Sequence, residues 1–255
     1  LQEMGCLFVT PASGWLACGY EGKGRLPDID DLVKYIECWS SYERDFTEKK
    51  ILVTAGSTHE YWDDLRFLRN NSSGKLGYSI AQAASMRGAD VTLITSPTEL
   101  PAPNNVETIE VISARDMYLE VTNRWENCDI GIMAAAVADY TPSKREKGKL
   151  KKTGNTITLT LMPTQDILQE LGTRKKHSQR LVGFALESEN MIENAREKMQ
   201  KKNLDMIIAN PLSVAGSDYT SCTILTDHLE KTIENTEKFE AANIILEVIR
   251  EICPQ

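Results

Sequence analysis

From residue 51 onward, short apolar runs rich in β-branched residues alternate with longer runs of helical period. The strand-like runs cover 51–55, 91–95, 130–135, 181–185 and 205–209, and the helical patterns lie near 74–88, 114–126, 164–173, 189–202 and 236–252. Such alternation predicts a mainly parallel sheet with helices on both faces. Two further runs, 156–162 and 221–226, predict antiparallel strands. We therefore expect an α/β, Rossmann-like, three-layer fold.

The first 50 residues do not follow this rhythm. Residues 28–39 predict one amphipathic helix, and a Gly-rich stretch without apolar periodicity, predicted as a loop, precedes it. We interpret 1–42 as the C-terminal remnant of an upstream domain, 43–50 as a charged linker and 51–255 as the main domain. The chain begins with Leu1 rather than Met, so we expect it to be part of something longer.

Composition narrows the classes of function. A net charge of −8 over 255 residues argues against a general nucleic-acid binder. The six cysteines are scattered without a C-x-x-C pair, which favours a reduced, cytoplasmic protein. No apolar run is long enough to predict a membrane span.

Polar or Gly-rich segments follow four of the predicted strands, at 56–74, 136–152, 186–190 and 210–218. In open parallel sheets, ligands bind beyond the carboxyl ends of the strands. A site assembled from loops distant in sequence is therefore expected at that edge.

The stretch NNSSGKLG at 70–77 precedes a helical run. Its small polar residues are typical of a helix cap, and a helix N-terminus also attracts anions. It is not a Walker A loop, because Arg69 and Leu76 stand at two of the motif's fixed positions. The basic residues Arg66, Arg69 and Lys75 favour an anion site, but an ordinary cap stays open.

A second informative stretch is MAAAVADYTPSKREKGKLKK at 133–152. Consecutive alanines after a strand let a planar ring approach the backbone, and Asp139 can accept hydrogen bonds from ribose hydroxyls or hold a cation. Six of the nine residues 144–152 are basic. They suit either a solvated loop or a mobile clamp over phosphates. Phe184 can be core or stack on a base, and Lys198 and Lys202 share one helix face, which is also typical of an ordinary charged surface.

Taken together, ordered motifs resemble one family. They are VTAGSTHEYWDDLRFLRNNSSGKLGY, AAAVADYTP, KLKK, QDIL, VGFALES and AREKMQKKNLDMIIAN. They resemble the synthetase half of the bacterial bifunctional phosphopantothenoylcysteine decarboxylase/phosphopantothenate–cysteine ligases of coenzyme A biosynthesis, over about residues 51–250. The leading PASGWLACGYEGKGRLPD resembles the end of the flavin-dependent decarboxylase half, whose FMN-binding body is not in this chain.

The resemblance implies a two-step ligation. The carboxylate of 4′-phosphopantothenate attacks the α-phosphate of CTP, with Mg²⁺ on the triphosphate, and the amine of L-cysteine then displaces CMP from the acyl-cytidylate. FMN would belong only to the missing upstream domain, and decarboxylase activity is not expected of this chain alone. The family also implies a homodimer through the ligase domain and a higher oligomer in the full-length protein. From charge and composition, no nucleic-acid or membrane partner is expected.

Residue roles follow only from matching positions in the family. Asn70 matches a contact to the acyl-intermediate carbonyl, Arg66 a basic residue needed for that intermediate, and Lys149 a loop lysine of the second step that also belongs to the nucleotide set. Cys18 matches the proton donor of the decarboxylase half. The remaining nucleotide contacts match Met133, Ala134, Ala135, Asp139, Gln165, Asp166, Ile167, Leu168, Phe184, Lys198 and Lys202.

Four positions depart from the family pattern: His59, Tyr61, Gln165 and Pro211. They put loop geometry in question more than reaction class. They leave open a non-catalytic nucleotide-binding relative, and the sheet itself leaves open an NAD(P)-dependent oxidoreductase. Against the oxidoreductase, the chain lacks the Gly-rich fingerprint that binds dinucleotides. It also lacks the acidic residue that such proteins carry at the end of a second strand.

Overall fold

The computed structural model describes residues 6, 8, 9, 11–152, 154, 156–187, 190–211 and 217–253. Its helices over these residues are α1 (Ile29–Ser41), α2 (Lys75–Met86), α3 (Ala114–Trp125), α4 (Ile167–Arg174), α5 (Met191–Lys201) and α6 (Lys238–Ile252). Its strands are β1 (Ala12–Trp15), β2 (Glu21–Arg25), β3 (Lys50–Ala55), β4 (Glu60–Tyr61), β5 (Phe67–Leu68), β6 (Asp90–Thr95), β7 (Glu107–Glu110), β8 (Ile130–Met133), β9 (Tyr140–Pro142), β10 (Leu161–Pro163), β11 (Arg180–Glu187), β12 (Met206–Pro211), β13 (Tyr219–Leu225) and β14 (Glu230–Glu237).

An eight-stranded sheet with the order β14-β13-β12-β11-β8-β3-β6-β7 forms the middle layer. The six strands from β12 to β7 are parallel, whereas β13 pairs antiparallel with β12 and β14 pairs antiparallel with β13 at the sheet edge. This arrangement confirms the predicted α/β, Rossmann-like fold.

Two hydrophobic cores lie on opposite faces of the sheet. Alternate strand residues point to opposite faces, so Val53 and Ile132 pack with α2 and α6, while Leu52 and Leu181 pack with α3, α4 and α5. Both cores are built from side chains with almost no exposure. The sheet is thereby held rigidly, and its loops start from fixed strand ends.

The antiparallel run predicted at 156–162 is wrong over most of its length. Residues 156–160 form no strand and are exposed. Only β10 is extended, and it pairs antiparallel with β9, outside the main sheet. The alternation of apolar and polar residues at 156–160 therefore did not produce a strand, because these residues are exposed and pair with no neighbouring strand. Residues 221–225 of the run predicted at 221–226, in contrast, lie in β13, which pairs with β12 and β14.

The N-terminal segment has more structure than the predicted loop. β1 and β2 form a hairpin, and α1 places Tyr35 and Cys38 against Met86 of α2. The predicted linker 43–50 packs on the main domain, because Phe46 is buried in its core and Asp45 forms a 2.5 Å ion pair with buried Arg87. The domain boundaries themselves stay a prediction.

Among the described residues, no helix combines the length and the hydrophobicity that crossing a bilayer would require.

Candidate functional site

The loops beyond the parallel strands enclose a cleft of about 770 Å³, called here the candidate cleft. Its walls are 70–77, 133–139, 164–168 and 184–186, together with the single residues Thr54, Lys198, Lys202, Asn210, Thr220 and Lys238. Asn70, Asp139 and Lys198, which lie far apart in sequence, line one cavity, as the topology of the sheet predicts.

The start of α2 forms one wall. The stretch 70–77 was consistent with an ordinary helix cap, and the N-cap is Gly74, with φ of 77° and no side-chain cap hydrogen bond of its own. A Cβ on Gly74 would lie 3.0 Å from the backbone nitrogen of Gly56, so the chain can pass there only with glycine. The Gly74 and Lys75 N–H groups donate to the Ser72 and Ser73 hydroxyls only at long distances of 3.4 Å and 3.5 Å, so the start of α2 can still bind an anion.

Hydroxyl groups at the end of β3 and just after it fix the wall at 133–139. Thr54 Oγ1 accepts a hydrogen bond from the Ala135 N–H at 3.1 Å, and Thr58 Oγ1 accepts one from the Ala138 N–H at 3.0 Å. Both threonines are buried. These two hydrogen bonds therefore fix the position of the backbone that was predicted to contact the nucleotide.

Asn70 is oriented from two sides. The Ser57 hydroxyl donates to its carbonyl oxygen at 2.8 Å, and the Asn70 Nδ2 donates to the Val137 carbonyl oxygen at 3.1 Å. Because an amide nitrogen carries two hydrogens, one remains for a further acceptor. This geometry ties the α2 wall to the 133–139 wall.

The opposite wall carries two lysines with fixed partners. Lys202 Nζ lies 2.8 Å from the carboxylate of Asp166, which also caps α4 by accepting from the Gln169 N–H at 3.0 Å. Burial opposes ionisation of Asp166, but these donors outweigh it and lower its pKa. Lys198 Nζ donates to the Phe184 carbonyl oxygen at 2.7 Å, next to the partly buried Phe184 ring.

Three predicted site residues lie outside the candidate cleft. Arg66 forms a salt bridge to buried Asp63 at 2.6 Å and donates to the Leu150 carbonyl oxygen at 2.7 Å. Lys149 is exposed on the loop that these contacts hold. Cys18 is exposed in the turn between β1 and β2.

Asn210 begins the segment 210–218 that was predicted at this edge, whereas the sequence did not identify the lining residues Thr54, Thr220 and Lys238. Thr54 lies near the carboxyl end of a predicted strand, and that position was a usable signal. Thr220 and Lys238 reach the cleft only because β13 and β14 fold back beside β12.

Of the four family departures, Gln165 lines the candidate cleft, and Pro211 ends β12. His59 is buried and stacks on Phe67 at a ring distance of 4.0 Å, while Tyr61 contacts the same ring. Burial, followed by the Arg69 charge, lowers the pKa of His59, which favours a neutral ring.

The described residues contain no group of three or more His, Cys, Asp or Glu side chains that could hold a metal ion. Asp139 and Asp166 are the carboxylates among the cleft residues. Such a donor set suits Mg²⁺ that keeps most of its ligands from substrate phosphates and water, rather than a dedicated protein cage.

Fold and cleft together define an α/β protein whose ligand site lies at the carboxyl edge of a parallel sheet, beside a helix N-terminus. The chain belongs to the family described as DNA/pantothenate metabolism flavoprotein C-terminal domain, whose model matches residues 46–252. The resemblance drawn from the sequence motifs is thus confirmed.

Curated relatives agree with this assignment. The chain is 43% identical over 226 residues to the coenzyme A biosynthesis bifunctional protein CoaBC of Bacillus subtilis, covering 88% of this chain and 55% of that protein. The identity to the CoaBC protein of Haemophilus influenzae is 37%, over 98% of this chain and 63% of that protein. A protein named cysteine/cysteine sulfinic acid decarboxylase, from an unknown prokaryote, is 38% identical over 99% of this chain and 72% of that protein. The chain therefore spans only part of the bifunctional relatives.

Solved structures show the same fold. The crystal structure of the C-terminal domain of a CoaBC protein has a TM-score of 0.72 at 37% identity, covering 82% of this chain and 98% of that one. A Cab2 mutant in complex with phosphopantothenate-cysteine has a TM-score of 0.67 at 16% identity, covering 88% and 92%. At that identity the second likeness concerns the fold alone.

Proposed function

We propose that this chain carries a phosphopantothenate–cysteine ligase activity, which joins 4′-phosphopantothenate to L-cysteine at the expense of CTP. The observation that carries the proposal is the convergence of Asn70, the 133–139 backbone, Phe184 and the lysines of α5 on one cleft. Family membership and the CoaBC relatives support the same reaction class.

In the proposed first step, the substrate carboxylate attacks the α-phosphorus of CTP, an O–P bond forms and pyrophosphate leaves. The chain needs to supply orientation and positive charge for this step, not a nucleophile. The free N–H of Asn70 would donate to the acyl oxygen, while the start of α2 would face the phosphates. Mg²⁺ bound to the nucleotide would neutralise part of the charge, with Asp139 as its candidate protein ligand.

In the proposed second step, the amine of cysteine attacks the acyl carbon and CMP leaves. Lys149 is the candidate residue for this step, although it lies outside the cleft. Its loop is held by the 2.6 Å hydrogen bond from the Gly148 N–H to the Asp64 carboxylate. We propose that the exposed lysine reaches the cleft from this anchored loop.

We further propose that the domain forms a homodimer through β9 and β10. This isolated two-stranded ribbon exposes the side chains of Tyr140, Leu161 and Met162. An exposed apolar patch on a ribbon with open hydrogen-bonding edges is typical of an interaction surface.

The test is pyrophosphate release by the purified chain with CTP, 4′-phosphopantothenate and cysteine. We expect release only when CTP and 4′-phosphopantothenate are both present. The Lys149→Ala variant should still form the acyl-cytidylate but convert it slowly to the amide. Release that does not depend on 4′-phosphopantothenate would contradict the proposal, and CTP binding without product would favour the non-catalytic alternative.

The decarboxylase name of one relative does not change this proposal. Cys18, the residue matched to decarboxylation, is exposed on a hairpin and does not line the candidate cleft. We therefore propose decarboxylation only together with a flavin domain. FMN that copurifies with this chain, detected by its visible absorbance, would contradict that view.

A further inference from the structure

Lys238 is a buried lysine at the wall of the candidate cleft. It is the first residue of α6, and 7% of its surface is exposed. Its ammonium group donates to the Ser217 carbonyl oxygen, and its backbone N–H donates to the Asp218 carbonyl oxygen at 3.1 Å. Burying an ammonium group is costly unless a partner compensates for the lost hydration.

A second lysine competes for the carboxylate nearby. Lys75, the first residue of α2, forms a 2.5 Å ion pair with Asp218. Within the described residues, no salt bridge joins Lys238 to a carboxylate. Burial, followed by the Lys75 charge, lowers the pKa of Lys238, while Asp218 opposes that effect.

The same two lysines stand where two cavities adjoin. A side cleft of about 540 Å³ lies between α1, α2 and the start of α6, and Lys75 and Lys238 line both it and the candidate cleft. The candidate cleft has an excess of positive charge among its described lining residues, which are the lysines Lys75, Lys198, Lys202 and Lys238 against Asp139 and Asp166. Lys202 already pairs with Asp166.

We propose that the ammonium groups of Lys238 and Lys75 bind a phosphate group of a substrate at this end of the candidate cleft. A phosphate oxygen would give the buried ammonium of Lys238 the anionic partner that the protein itself does not provide. The N–H groups at the start of α2 would contact the same group. The inference deepens the proposed ligase function and rests on it.

Two phosphates fit this chemistry, the polyphosphate of CTP and the phosphate ester of 4′-phosphopantothenate. Titration calorimetry with Lys238→Met distinguishes them through two ligand pairs, CTP against cytidine and 4′-phosphopantothenate against pantothenate. We expect the affinity for one phosphorylated ligand to fall about tenfold, with no change for its phosphate-free counterpart. Lys231→Met on exposed β14 is the matched control and should bind like the wild type.

Unchanged affinity of Lys238→Met for both phosphorylated ligands would overturn the proposal, and so would an equal loss for both members of a pair. Should Lys238→Met fail to fold by circular dichroism, Lys75→Met takes its place, because Lys75 is partly exposed and its removal leaves no cavity in the core. Wild-type protein that binds neither CTP nor 4′-phosphopantothenate would instead contradict the proposed function as a whole.

Discussion

At the scale of single residues, short hydroxyl side chains set the geometry of the candidate cleft. Thr54, Ser57 and Thr58 together fix 135–138 and Asn70 through hydrogen bonds to the backbone. All three are buried, so water cannot replace these bonds easily. They act as positioning residues, because none of their bonds requires a ligand.

The sharpest residue-scale prediction concerns Thr58→Val, which keeps the shape of the side chain but leaves the buried Ala138 N–H without its acceptor. We expect a loss of roughly 1–3 kcal/mol in the free energy of unfolding, measured by urea denaturation. The affinity for CTP should fall as well, and Thr58→Ser should restore both. Thr122→Val, a buried hydroxyl on α3 remote from the cleft, should cost stability but leave CTP affinity unchanged.

Asp63 gives a prediction about pH. Burial opposes its ionisation, but Arg66 and the N–H groups of Leu65, Arg66 and Leu150 outweigh burial and hold its pKa well below its usual range. The ionised carboxylate therefore stabilises the fold above its unfolded pKa of about 3.9, and this contribution is lost as the pH falls below that value.

We therefore expect Asp63→Asn to be less stable than the wild type at pH 6, with a smaller difference at pH 3. Urea unfolding at both values measures this. Asp227→Asn, at an exposed carboxylate on the surface, serves as the control. A difference between wild type and Asp63→Asn that is the same at both pH values would contradict this role.

At the scale of elements, the contact between α4 and the end of α5 positions Lys202. A Cβ built on Gly172 would lie 1.9 Å from the Lys202 carbonyl oxygen, so the two helices approach too closely for any side chain there. Gly172→Ala should force them apart and cost about 1–3 kcal/mol of stability, as overpacking does. The loss of the Lys202–Asp166 geometry should also weaken CTP binding, measured by calorimetry. Thr173→Ala, at an exposed position of the same helix, should do neither. A well-folded Gly172→Ala with wild-type affinity would contradict this account.

The elements that could be predicted from the sequence are those whose own residues carry the signal. β3 and β8 are continuous apolar runs because both of their faces are buried, and α2 shows its buried face as a helical repeat. The edge strands β7 and β14 were missed, because Glu107–Glu110 and Glu230–Glu237 become strands only through pairing with β6 and β13. The residues of the candidate cleft divide in the same way, into those predictable from the sequence and those that depend on tertiary pairing. The loops beyond the parallel strands were predictable from topology, whereas Lys238 enters through the tertiary return of β14 and α6.

At the scale of the whole molecule, the two-stranded ribbon of β9 and β10 is separate from the eight-stranded sheet. The exposed ribbon of β9 and β10 continues directly into the Lys149 loop, since β9 ends at Pro142 and the Glu146 N–H of that loop donates to the Trp62 carbonyl oxygen at 2.8 Å. A protein interface on this ribbon would therefore also restrain the loop proposed for the second step. This connects the proposed dimer to the proposed chemistry.

The corresponding prediction is that the chain is a dimer and that Leu161→Glu combined with Met162→Glu gives a monomer. Leu161 and Met162 are consecutive in β10, so the two carboxylates would lie on opposite faces of the ribbon, and whichever face forms the interface would have to bury one of them without a partner, which is unfavourable. Size-exclusion chromatography with light scattering measures the mass directly. The double variant Leu119→Glu and Ile112→Glu, at exposed apolar positions in and before α3, is the matched control and should remain a dimer.

Because neither ribbon residue lines the candidate cleft, the monomer should still bind CTP. Slow amide formation by this monomer, with acyl-cytidylate formation retained, would show that the second step needs the interface, whereas a monomeric wild type would rule the interface out.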